Sequence, residues 1–101
     1  QRALVRKQPV GPVAAFSPWT FPGNWMCKKM AAALAAGCSI IAKPPEETPA
    51  CTSAIMQCVI DGGVPGNVAQ LVYGVPDMVS RHLIASPVIR KISFTGSVPV
   101  G

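Results

Sequence analysis

Acidic residues are scarce in this chain, and so is charge of either sign. Four Asp and Glu stand against nine Lys and Arg, and charged residues make up only 13% of the sequence. Half of the residues are apolar, which excludes a disordered chain and predicts one small, well-filled domain. Two of the four carboxylates, Glu46 and Glu47, are neighbours, so no separated acid pair of the glycosidase kind is available. The single histidine, His82, leaves no second imidazole for a zinc set, and Cys27, Cys38, Cys51 and Cys58 contain no Cys-x-x-Cys pair; no metal is expected. The cysteines read as small buried hydrophobes kept reduced in a cytoplasmic protein. There is no apolar run of membrane-spanning length, and "QRALVRKQ" lacks the apolar core of a signal peptide, so no membrane partner is expected. The net charge of +5 is dispersed along the chain without aromatic interleaving, which argues against nucleic acid and leaves phosphate or anion binding open.

What is present is an alternation of apolar strands and amphipathic helices. "VGPVAAFS" (residues 10–17) reads as a buried strand bounded by Pro9, Pro12 and Pro18. "NWMCKKMAAALAAG" then sets Met26, Met30, Leu34 and Gly37 at helical spacing, with Lys28 and Lys29 outside that stripe and Gly37 as the stop. "CSIIAK" is a second strand, and Thr48 as N-cap with Pro49 at the first helical position opens a helix whose stripe is Cys51, Ile55, Cys58 and Val59. "AQLVY" is a third strand. Pro76 and Asp77 open a helix carrying Met78, Val79, His82 and Leu83, and "IRKISF" is the fourth strand. The order β-α-β-α-β-α-β predicts an α/β fold with a parallel sheet, right-handed crossovers and ligands outside the carboxyl ends of the strands.

Those ends are "SPWTFP", "KPPEETP", "YGVP" and "FTGSVPVG". In "KPPEETP", prolines stiffen a turn that presents Lys43 and Glu46 outward, where a carboxylate can accept both ribose hydroxyls of an adenosine and a lysine can donate to the same sugar. On the residues alone a solvated polar turn is the commoner arrangement. "GSVPVG" fits three readings equally: a pyrophosphate cradle with Ser97 as an added donor, the start of a P-loop, or an ordinary turn. Trp19 and Phe21 either wall a flat ring or cap the sheet in a rigid turn, and Thr20 between them carries a hydroxyl able to donate to a reacting oxygen. His82, on a helix face with no titratable partner, does not read as a catalyst. No nucleophile and base pair emerges.

Taken together, "PVGPVAAFSPWTFP", "KKMAAALAAGCSIIAKPPEETP", "GGVPGNVAQLVYG" and "SPVIRKISFTGSVPVG" resemble the aldehyde dehydrogenase superfamily across essentially the whole chain, most nearly its bacterial semialdehyde-oxidising members. The resemblance implies that residues 1–101 are part of a Rossmann-like NAD(P)-binding domain of an enzyme oxidising an aldehyde to a carboxylic acid. It also implies that the nucleophilic cysteine and general-base glutamate lie outside this stretch, so that the piece is inactive alone, and that the whole enzyme is a homo-oligomer. Residue by residue, Phe16, Ser17, Pro18 and Trp19 match the segment along the cofactor, Lys43 and Glu46 the pair that holds the adenosine ribose, and Phe94, Gly96 and Ser97 the segment beside the nicotinamide ribose and pyrophosphate. Thr20 departs from the pattern, standing where the family normally has the asparagine that helps hold the oxyanion. Pro76 and Ser80 also replace glycines of some members. A carboxylate at Glu46 would repel a 2′-phosphate and so favours NAD over NADP. A stand-alone nucleotide-binding or interaction module, and a P-loop nucleotidase piece, are the alternative expectations.

Overall fold

The computed structural model describes all residues, Gln1–Gly101. Its elements are β1 (Val13–Phe16), α1 (Pro22–Ala35), β2 (Ile40–Lys43), α2 (Pro49–Asp61), β3 (Ala69–Leu71), α3 (Pro76–Ala85) and β4 (Lys91–Phe94), in the alternation expected from the sequence. The four strands form one parallel sheet in the order β3-β2-β1-β4. The chain therefore steps outward from β1 to β3 and then crosses back to lay β4 on the other side of β1.

Because crossovers are right-handed, a reversal of direction moves the connecting helix to the opposite face of the sheet. The side chains follow that rule. Val13, Ala15, Ile40, Ala42 and Ala69 share a core with Met26, Met30 and Ala33 of α1 and with Ile55, Met56 and Val59 of α2. On the other face, Ala14 and Phe16 meet Leu83 and Val79 of α3. Met26 and Met30 are fully buried, and each contributes about 1.5–3 kcal/mol through the apolar area it removes from water.

All three helices open on proline, at Pro22, Pro49 and Pro76, where a missing N–H is harmless and φ is already helical. This is why α1 starts two residues before Asn24. Gly37 closes α1 with φ +78°, while the N–H of Cys38 donates to the Ala33 carbonyl and that of Gly37 to the Leu34 carbonyl, a Schellman arrangement that only glycine enters without strain.

Several expectations fail in detail. The buried face of α2 is Thr52 with Ile55, Met56 and Val59 half-buried, not Cys51 and Cys58. Thr52 is admitted to the interior because its hydroxyl is satisfied, and this rotates both cysteines outward. Only Cys38 of the four cysteines is buried. Thr48 stands at the N-cap of α2 but makes no capping hydrogen bond, and its hydroxyl is buried without a partner. Leu34 is only half-buried, Met78 and His82 face solvent, and on α3 only Leu83 is fully buried. The strands are shorter than their apolar runs: β2 gives way to Pro44-Pro45, which have no N–H, so Tyr73 has no ladder to join.

Candidate functional site

At the point of reversal, the carboxyl ends of β1 and β4 lie side by side, with the Thr95 N–H donating to the Phe16 carbonyl at 3.1 Å. This is the position at which an open parallel sheet reverses its strand order and forms a crevice. A cleft of about 730 Å³ occupies it. Its walls bring together all ten residues singled out from the sequence: Phe16, Ser17, Pro18, Trp19 and Thr20 at and after the end of β1, Lys43 and Glu46 at and after the end of β2, and Phe94, Gly96 and Ser97 at and after the end of β4. Pro76 and Ser80 of α3 complete one side. None of the cysteines and no histidine lines it.

The Lys43 ammonium is not presented outward as expected. Its side chain is only 7% exposed and donates to Glu46 Oε1, while Glu46 is 36% exposed at the rim and its second oxygen has no partner in the chain. Burial explains the pairing, since a lysine removed from water needs a countercharge. The pair is thus a fixed donor and acceptor at one end of the cleft.

At the other end, neither glycine of "GSVPVG" has positive φ, and both lie against the exposed Phe94 ring. A Cβ on Gly96 would lie 2.5 Å from Phe94 Cζ, and one on Gly101 would lie 2.7 Å from Phe94 Cε1. The loop folds over the Phe94 ring. The N–H groups of Val100 and Gly101 turn back to the Ser97 carbonyl at 3.2 and 3.1 Å. Between the two ends, Ser17 Oγ is buried without a hydrogen-bond partner, a polar group that a bound molecule can satisfy. Trp19, 60% exposed, offers a ring face at the mouth.

Sequence reasoning missed a second depression. Trp25 and Thr95 line the cleft and also a groove of about 690 Å³ on the α1 side of the sheet, where Lys28, Lys29, Arg90 and Lys91 gather with no carboxylate. The register Val13↔Lys91 puts Lys91 and Ser93 on the face of α1, a consequence of strand alternation that becomes visible once β4 is known to lie beside β1. Lys29 Nζ donates to Ser93 Oγ at 2.9 Å.

Burial, and then repulsion from Lys28, hold the Lys29 ammonium below its ordinary value of 10.5. Since the lowered value belongs to the folded state, the native chain binds fewer protons than the unfolded chain between that value and 10.5. The burial penalty is fully present below this window, and stability rises as pH climbs through it. An NMR titration of the lysine side chains should place the Lys29 midpoint below 10.5 and move it upward in Lys28→Gln; an unmoved midpoint would remove Lys28 as a cause.

The aldehyde dehydrogenase family profile matches residues 1–101. The chain is 58% identical over 100 residues to a 4-(hydroxymethyl)benzenesulfonate dehydrogenase of Comamonas testosteroni, covering 99% of this chain and 21% of that protein. It is 42% identical to the NADP(+) succinate-semialdehyde dehydrogenase of Escherichia coli K12, covering 100% of this chain and again 21% of the relative. Among solved structures, succinate-semialdehyde dehydrogenase from Burkholderia pseudomallei superposes with a TM-score of 0.93 at 42% identity, over 95% of this chain and 20% of that one. The chain spans about a fifth of the length of the curated relatives it matches.

Proposed function

Because this chain belongs to the aldehyde dehydrogenase family, we propose that residues 1–101 are part of the NAD(P)-binding domain of an enzyme that oxidises an aldehyde to a carboxylic acid. The observation that carries the proposal is the gathering of all ten sequence-derived residues on one cleft at the strand reversal. Such a crevice is where parallel α/β sheets hold dinucleotides. Membership of this family displaces the P-loop reading.

The nicotinamide cofactor, when bound, supplies the hydride acceptor. Within this chain, Glu46 accepts from the ribose hydroxyls of the adenosine and Lys43 fixes that carboxylate while donating to the same sugar. Ser17 and the backbone around Gly96 and Ser97 supply neutral donors along the cleft, and Phe16, Pro18 and Trp19 exclude water from its floor and mouth. Thr20 presents its hydroxyl toward the carbonyl oxygen of the aldehyde as negative charge develops there. On this reading the attacking thiolate and the general base come from other segments of the enzyme, in keeping with a cleft that no cysteine of this chain lines.

The aldehyde itself carries an acid group. Relatives named for a benzenesulfonate and for succinate semialdehyde support this, as does a groove with four cations that shares Trp25 and Thr95 with the cleft. For the cofactor, a carboxylate at Glu46 favours NAD, although the E. coli relative is named for NADP(+). Steady-state kinetics of the full-length enzyme with an acid-bearing and a neutral aldehyde, each with NAD and NADP, test both points. The acid-bearing aldehyde should have the higher kcat/KM. NAD should be preferred, and Glu46→Gln should narrow that preference; a preference for NADP that Glu46→Gln leaves untouched would contradict the role given to this carboxylate.

A further inference from the structure

We infer that Tyr73 is a positioning residue for the Lys43–Glu46 end of the cleft, a role that rests on the proposed contact of that pair with the cofactor. The turn from Lys43 to Pro49 carries Glu46 and runs directly into α2. At its near end it is held by β2 and the Lys43–Glu46 pair. Its far end should be held by the cap of α2, but Thr48 makes no capping bond and Pro49 has no N–H to offer.

Tyr73 supplies the missing tie. Its hydroxyl donates to the Pro49 carbonyl at 3.0 Å, lies 2.5 Å from Thr52 Oγ1, and has Ser53 Oγ at 3.2 Å. Three residues of the first turns of α2 thus converge on one phenol. Tyr73 is itself anchored, because the preceding Val72 N–H donates to the Ala42 carbonyl at 2.9 Å, one residue before Lys43. The sheet therefore grips the turn at both ends, through Lys43 at one and through Tyr73 at the other. Tyr73 does not line the cleft, so it acts through the turn and not by contact with a ligand. Prolines at 44, 45 and 49 make that turn stiff enough to pass a displacement at Pro49 on to Glu46.

The test is Tyr73→Phe in the full-length enzyme, beside Thr52→Val, Glu46→Gln and the double variant Tyr73→Phe/Glu46→Gln. Loss of the phenol's hydrogen bonds should raise the cofactor KM about fivefold with kcat and aldehyde KM unchanged, and Thr52→Val should shift it the same way. The double variant should be no weaker than Glu46→Gln alone, because Tyr73 works through that carboxylate. If Glu46→Gln weakens the cofactor and Tyr73→Phe does not, the positioning role is overturned while the cofactor site stands. A Tyr73→Phe variant that only melts earlier, with no cofactor-specific change, overturns it as well. If neither variant affects the cofactor, the cofactor contact itself fails, and the inference with it.

Discussion

Thr20→Asn in the full-length enzyme is expected to raise kcat by about tenfold to a hundredfold with little change in either KM. The aldehyde oxygen gains negative charge only as the nucleophile adds, so a donor aimed at it stabilises the transition state more than the ground state. One such donor is commonly worth about 2.7–4 kcal/mol, which is 10²–10³ in kcat. Thr20 is solvent-exposed at the cleft wall, just after the buried β1, and its side chain is shorter than the asparagine of the family pattern. Under the proposed oxyanion role a hydroxyl there recovers part of the stabilisation, which is why the expected gain is smaller than the full value of a donor. Rapid-quench measurement of the acylation step would separate this effect from product release, and an unchanged or lower acylation rate would show that Thr20 is not at the oxyanion.

Lys43→Met is expected to weaken the cofactor about tenfold to a hundredfold, with a smaller effect on kcat at saturation. The ammonium is almost wholly buried against Glu46, and hydrogen bonds to charged groups are each worth about 1.5–3 kcal/mol. Removing it takes away one donor and leaves the carboxylate without the charge that fixes its position. Titration calorimetry of the full-length variant with NAD gives the ratio directly. Glu46→Gln should be milder for the cofactor, because the amide keeps an acceptor at the rim, although it leaves the buried Lys43 ammonium without its countercharge and should therefore lower the melting temperature. Equal cofactor affinity in Lys43→Met and the parent would exclude the pair from the site.

How far the site could be read in advance depended on the kind of signal. The strand ends were legible because Pro18, Pro44, Pro45 and Gly96 stop strands in ways that leave little choice, and the alternation of elements put all of those ends on one edge of a parallel sheet, while which ends are neighbours came from the strand order. The side of the Lys43–Glu46 pair that faces inward was not legible: a turn rich in charge looks solvated until the fold shows the lysine lying beneath it. The phase of α2 was misread because Cys51 and Cys58 score as apolar and Thr52 does not, while the deciding contact comes from Tyr73, 21 residues away along the chain. The basic groove was hidden for a similar reason. Lys28-Lys29 and Arg90-Lys91 sit on separate elements, and only the placement of β4 beside β1 brings them together.

Hydrogen–deuterium exchange of the full-length enzyme with and without NAD tests the cofactor cleft most directly. Addition of NAD should slow exchange in residues 16–20, 43–48 and 94–101 together, while the solvent face of α2 around Cys51 and Cys58 stays unchanged. Protection confined to other segments, with these three exchanging at their cofactor-free rates, would contradict the assignment.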